Sequence, residues 1–402
     1  MEIRIKKKEG QMQMYDFKIT MDRLVRQEAA EGRVKGVSAM ALHKGQEIYY
    51  GAFGEADAEK GIPMRRDTII RLYSMTKPVT AAAVMLLAER GGLDLWDSVS
   101  RYLPCFRGQK VWRGGAEVPA ERENTVYDLL NMTSGITYPD EAHEPGRRMK
   151  AAVEEFVRRR RKGERVDTQE YMRGIASVPL CFQPGERWLY GFSADVLGGI
   201  IEAVSGMTFG EFLKKEIFEP LEMTDTGFFV PKQHQDRFAQ YYDMREDGSL
   251  VPHTDSHLGE YFGEDVAFES GGAGLVSTLD DYSRFASMMI HGGTYKGKHI
   301  LGRKTVEFMG QNRLSEKQRR SLDWDSTKGY GYGCLMRVLT DQGAAGTIAS
   351  LGEYGWDGWT GNYVAMDPRE DLIILYFVQT CGVDVLATIR KLRMAVYGAL
   401  ED

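Results

Sequence analysis

The chain has 402 residues, with 52 Lys and Arg against 58 Asp and Glu and a formal net charge of −6. This length suits one large domain or two interlocked ones, and the mixed charge argues against the clustered basic footprint of a nucleic-acid binder. No apolar run reaches the roughly 18 residues that a membrane span needs, and the basic, polar Met1–Lys8 is followed by no apolar stretch of the kind a secretory signal has. Four widely spaced cysteines (Cys105, Cys181, Cys334, Cys381) form no Cys-x-x-Cys, which predicts free thiols and a cytoplasmic setting.

Residues 1–14 read as a flexible tail. Asp22 to Glu31 reads as a short helix. Val37–Leu42 and Glu47–Phe53 read as two strands around a Lys44-Gly45 turn. Thr68–Leu72 leads into a stretch that is apolar on every face from Val79 to Ala88 and stops at Gly91-Gly92, the pattern of a buried helix. Pro78 fits its first turn, where a helix tolerates proline. Thr125–Leu130, Glu141–Arg165, Gln169–Ser177, Asp195–Ser205 and Phe209–Phe218 read as helices, so the region 95–265 is mainly helix and loop. The basic run Arg158–Lys162 reads as a solvated helix face. Strand signals return at Leu275–Thr278, Gly329–Val338, Asn362–Met366 and Asp371–Val378. Helices are expected from Asp280 to Ile290 and from an Asp384 cap to Tyr397.

Strands at both ends and helices between predict an α+β fold. Its antiparallel sheet would be built from both termini (15–94 and 266–402) and flanked by helices, with a helical domain (95–265) inserted. The buried helix would lie at their junction, a favoured place for a pocket.

That helix opens with Ser74-Met-Thr-Lys77. A serine hydroxyl needs a base beside it to act as a nucleophile, and a lysine three residues on lies on the same helix face. Burial would lower the lysine's pKa into a useful range, and the helix N-terminus favours a developing oxyanion. Ser-x-x-Lys alone is common by chance, so the context has to carry the assignment. Tyr190, in Pro184-Gly-Glu-Arg-Trp-Leu-Tyr-Gly-Phe192, is the candidate second proton carrier.

With Gly51–Asp57, Leu72–Pro78, Asp128–Gly135, Pro184–Tyr190 and Gly271–Thr278 in this order, the sequence resembles the serine β-lactamase and penicillin-recognising superfamily. It looks most like the class C branch and the family VIII carboxylesterases, over about residues 20 to 395. The resemblance implies Ser74, Lys77 and Tyr190 as catalytic residues and the backbone N–H groups of Ser74 and Trp359 as the oxyanion hole. It also implies substrate contacts at Phe192, Trp356, Asp357 and Gly358. Two departures bear on substrate: the second motif, Tyr-x-Asn in the family, is Tyr190-Gly-Phe192, and the third, Lys-Thr-Gly or His-x-Gly, is Trp356-Asp-Gly358. Neither Trp356 nor Phe192 replaces the lost cation and amide, so a bulky apolar rim and an uncharged ester or amide substrate are expected, with little β-lactam turnover.

The resemblance therefore predicts a carboxylesterase working through an acyl-enzyme. A β-lactamase or D-amino-acid peptidase or amidase, an acyltransferase and a non-catalytic binding protein are the alternatives. No cofactor or metal is implied. Gly292–Lys298 fits a phosphate-loop spacing but is followed by His299, and reads as a hairpin. Gly191–Asp195 lacks the last glycine of a nucleophile elbow. His253 and His257 with Asp255 lie in a polar loop without helical register.

Overall fold

The computed structural model describes residues 16–253 and 266–400. The expected tail at 1–14, and Asp255 and His257 of the histidine loop, lie outside the described residues. Helix α1 (Phe17–Ala30) leads into β1 (Gly36–His43), β2 (Gln46–Asp57) and β3 (Ile62–Pro63). The central helix α2 (Thr76–Glu89), then α3 (Ser193–Ser205) and α4 (Leu279–Ile290), precede β4 (Tyr330–Gly333), β5 (Met336–Leu339), β6 (Tyr354–Asp357), β7 (Tyr363–Asp367) and β8 (Leu372–Val378). Helix α5 (Leu386–Tyr397) ends the fold.

The eight strands form one sheet in the order β4-β5-β6-β7-β8-β1-β2-β3, with every neighbour antiparallel. The two ends of the chain meet where Val37 lies opposite Val378 and Leu42 opposite Ile373. Alternation along the strands sorts the sheet into two faces. Ala39, Ala41, Ala365, Ile374 and Tyr376 pack with Met21, Val25, Ile389 and Leu392 of α1 and α5. Met40, Val364, Leu375 and Phe377 share the other core with α2 and α4. Covered on both faces, β8 is buried at all seven positions, which explains its unbroken apolar sequence. The α+β architecture with an antiparallel sheet drawn from both ends is thus the observed one.

Three features differ from the sequence-based expectation. The run Gly329–Val338 is a hairpin, turning at Cys334 and Leu335, both at positive φ (47° and 61°). Such turns usually carry Asn or Gly; here two buried apolar residues hide the turn from sequence. Lys110–Arg113 pairs with Ala116–Pro119 across Gly114-Gly115. Tyr242–Met244 pairs with Leu250–Pro252 and, in parallel, with Thr380–Cys381. These short, half-exposed strands carry too little apolar alternation to announce themselves. Elsewhere the helices stand within a few residues of expectation. Thr125 and Asp128 form a capping box on Val126–Leu130. Gly292–Lys298 lies in the hairpin of Thr294–Tyr295 and Lys298–His299. Asp384 accepts the Leu386 N–H at 2.9 Å just ahead of α5.

Candidate active site

Ser74 lies in a single 3-10 turn, Tyr73–Met75, that opens α2. Tyr73 has φ of 48°, a left-handed conformation that is strained for a bulky residue. The turn is tied on several sides. Leu72 N–H donates to Leu275 O at 2.9 Å, Leu275 N–H to Thr76 Oγ1 at 3.1 Å and Tyr282 OH to Met75 O at 2.8 Å. The Tyr73 ring meets Tyr241 edge-on at 5.8 Å. This over-determination holds the serine hydroxyl at the head of the buried helix.

Lys77, one turn on, is fully buried. Its Nζ is 3.2 Å from Ser74 Oγ, 3.1 Å from Tyr138 OH and 2.8 Å from Gly272 O. Burial pulls its pKa down to about 7, against a partial upward pull from Asp195. A neutral amine in contact with a serine hydroxyl can take its proton. The carbonyl at Gly272 reaches Lys77 because residue 272 has no side chain: a Cβ there would lie 2.6 Å from Asp195 Oδ2 and 3.1 Å from Tyr138 OH. Asp195 is itself buried and accepts from Ser270 Oγ and, at 3.2 Å, from Gly272 N–H. Burial raises its pKa while Lys77 lowers it, and its Oδ2 has no partner among the described residues.

Tyr190 completes the group. Lys77 Nζ stands 4.5 Å above its ring, and its hydroxyl accepts from Trp356 Nε1 at 3.0 Å. Burial raises the phenol's pKa, with hydrogen bonds to Ser74 and Trp356 opposing it. The phenol therefore keeps its proton at a pH where Lys77 can lose its own.

The strand β6 runs past this group with alternate residues on alternate faces. Trp356 points to Tyr190. Asp357 points to the opposite face, where Arg337 Nη1 donates to it at 2.6 Å and Arg337 Nη2 donates to Val364 O at 2.8 Å. Gly358 crosses the chain just before the nucleophile: a Cβ there would lie 2.6 Å from Leu72 O. Asn362 Nδ2 and Gln379 Nε2 both donate to Arg71 O, at 2.9 and 3.0 Å. The end of β6 is thereby locked to the approach of Ser74, and Trp359 follows at once. Its indole is 59% exposed and donates to Cys381 Sγ at 2.7 Å.

Four of the sequence-derived residues, Ser74, Lys77, Tyr190 and Trp356, are thus in one contact group, with Gly358 and Trp359 beside it. Phe192 and Asp357 are placed elsewhere. Phe192 is 1% exposed, packed against Tyr138 and Tyr171 behind the site, and Asp357 is turned away by the strand's alternation. Nor does Trp356 form a rim, being only 3% exposed. Sequence reasoning missed Tyr138, whose position three residues past Gly135 was the one available signal. It also missed the Asp195–Ser270–Gly272 bracket around Lys77 and Trp324, the outermost ring of an aromatic layer with Trp188, Tyr190 and Trp356. Among the described residues no group of three or more His, Cys, Asp or Glu is placed to hold a metal ion.

Residues 21–398 match the family model described as Beta-lactamase. The chain is 32% identical over 378 residues to Protein Rv1367c of Mycobacterium tuberculosis, covering 91% of each. It is 32% identical over 396 residues to Esterase EstB of Burkholderia gladioli, covering 94% of each. Among solved structures it resembles EstCE1, a hydrolase with promiscuous acyltransferase activity, at 27% identity with a TM-score of 0.77, covering 94% of this chain and 98% of that one. The sheet assembled from both chain ends, the serine and lysine at the head of the buried helix, and these full-length likenesses lead to one conclusion: the chain belongs to the beta-lactamase family and is a serine hydrolase.

Proposed function

We propose that the protein cleaves uncharged carboxylic esters through an acyl-enzyme on Ser74. The observation that carries this reading is the fully buried Lys77 amine, held near neutrality 3.2 Å from the Ser74 hydroxyl. In acylation, Ser74 Oγ attacks the ester carbonyl carbon and its proton passes to Lys77 Nζ. The carbonyl oxygen takes up negative charge and is met by the backbone N–H groups of Ser74 and Trp359. The carbon–oxygen bond to the alcohol breaks and Tyr190 OH gives its proton to the leaving oxygen, the resulting phenolate being stabilised by the Lys77 ammonium over its ring. A water then attacks the acyl carbon, losing its proton to the same pair, and the acid leaves as Ser74 Oγ is reprotonated.

The third-motif position supports an ester over a β-lactam. It offers the Trp356 indole, already hydrogen-bonded to Tyr190, where a lysine ammonium would otherwise pair with a substrate carboxylate. One lost charged hydrogen bond is worth about 1.5–3 kcal/mol, tenfold or more in rate. The likeness to Esterase EstB and EstCE1 points the same way. Transfer of the acyl group to an alcohol in place of water is the second reading, favoured by the activity named for EstCE1.

The test is turnover of p-nitrophenyl butyrate beside a chromogenic cephalosporin, for the wild type and Ser74→Ala. Ester turnover that is lost in Ser74→Ala, with little cephalosporin turnover, is the expected result. Cephalosporin turnover exceeding ester turnover would overturn the substrate assignment.

A further inference from the structure

We infer that Trp324 forms the wall of the leaving-group side of the site and selects esters whose alcohol is aromatic or broadly planar. This rests on the reading of Ser74 as the esterase nucleophile and goes further by naming the alcohol half of the substrate.

Tyr190 is the group placed to protonate the departing oxygen, so the alcohol's carbon skeleton extends from that oxygen across whatever lies next to the Tyr190 ring. Two of the ring's neighbours are committed to the interior. Trp188 is buried and stacked on it at 6.0 Å, and Trp356 is buried with its N–H already donated to the phenol. Tyr138, edge-on to Tyr190 at 5.5 Å, has its hydroxyl bonded to Lys77, whereas the fourth, Trp324, meets Tyr190 edge-on at 5.1 Å and Trp188 edge-on at 5.1 Å, yet is 40% exposed. It presents a large, rigid apolar surface to solvent at the position next to the proton donor.

Among the described residues the Trp324 ring meets the rings of Trp188, Tyr190 and Trp356, and the rest of its surface is open. Its inner side is fixed by three rings, including Trp356 at 6.3 Å, so its outer side is pre-organised. An aromatic ring laid against it gains an offset or edge contact of the kind that aromatic pairs favour, with little ordering needed on the protein's side. A methyl or ethyl group reaches too little of that surface to gain the same contact. The chain holds the ring there through a short turn: Thr327 N–H donates to Trp324 O at 2.9 Å, and Thr327 Oγ1 to the same oxygen at 2.9 Å. Trp324 stands beside Tyr190, the proton donor to the alcohol, so it is expected to act on the alcohol half of the substrate and not on the acyl half.

The experiment holds the acyl group fixed as acetyl and compares kcat/KM for phenyl acetate and ethyl acetate in the wild type, Trp324→Ala and Trp324→Phe. Aryl esters are intrinsically more reactive, so the readout is the change in the phenyl-to-ethyl ratio between proteins. The ratio is expected to fall about 3- to 10-fold in Trp324→Ala, the range of a single aromatic contact, and to be largely kept in Trp324→Phe. The dependence on acyl length, measured with p-nitrophenyl acetate, butyrate and octanoate, is expected to keep its shape in all three. An unchanged phenyl-to-ethyl ratio in Trp324→Ala, with ester turnover intact and dependent on Ser74, overturns this inference and leaves the esterase reading standing. So does a change in the acyl-length profile with no change in that ratio. Failure of the wild type to turn over any ester of the series overturns both.

Discussion

Replacing Lys77 by methionine should show the burial of the amine directly in the pH dependence of stability. In the fold this lysine has its pKa pulled from an ordinary 10.5 to about 7 by burial, whereas the unfolded chain restores the ordinary value. Between those two values the unfolded state binds the proton that the folded state has lost, so the wild type gains stability relative to Lys77→Met as pH rises. Below about pH 7 the lysine is protonated in both states and the difference is flat. The slope approaches about 1.4 kcal/mol per pH unit, and from about pH 7.5 to about pH 9.5 the integrated change is about 2.5 kcal/mol. Urea unfolding of both proteins across the window, followed by fluorescence, gives the difference with the titrating groups that Lys77 does not influence cancelled. Parallel curves for the two proteins would refute a neutral buried amine, and with it the assignment of Lys77 as base.

Ester hydrolysis should rise with pH along a limb centred near pH 7, since the active form carries neutral Lys77, and the limb is read from the pH profile of kcat/KM. Tyr190→Phe should lower kcat by about 10²- to 10⁴-fold, the usual worth of a positioned proton carrier. Its effect should be smaller on p-nitrophenyl esters, whose leaving group needs no proton, than on ethyl esters. Trp356→Phe removes the 3.0 Å donor to the Tyr190 hydroxyl and should cost about 1 kcal/mol, or about fivefold, in kcat/KM. Gly272→Ala would place a Cβ 2.6 Å from Asp195 Oδ2. It should abolish ester turnover while circular dichroism still reports a folded chain, because the clash falls on the bracket around Lys77.

The sheet was legible in the sequence because its strands announce themselves in two ways. The run Leu372–Val378 is apolar throughout and buried on both faces, and Val37–Leu42 is a compact apolar run beside a Lys-Gly turn. Together they imply pairing between chain ends. Helix α2 was legible for a similar reason, being apolar all round and stopped by paired glycines. The hairpin at Cys334-Leu335 was not, since it relies on buried apolar residues holding a positive φ that local sequence disfavours. In the site, Ser74 and Lys77 are three positions apart in sequence and so visible as a motif. Tyr138, Asp195 and Gly272 come together from three separate segments around Lys77 Nζ, and only tertiary packing places them there. Asp357 shows a different limit. Motif matching treated Trp356-Asp-Gly358 as a unit, whereas a strand sends neighbouring side chains to opposite faces, and the carboxylate ended beside Arg337.

Ser74 as a nucleophile activated by Lys77 is what the function rests on. The most direct measurement is labelling of the intact protein with a fluorophosphonate probe, followed by peptide mapping of the adduct, for the wild type, Ser74→Ala and Lys77→Met. A single adduct on Ser74, no labelling of Ser74→Ala, and labelling of Lys77→Met that is slower by orders of magnitude are expected. An adduct at another residue, or labelling of Lys77→Met at the wild-type rate, would contradict that activation.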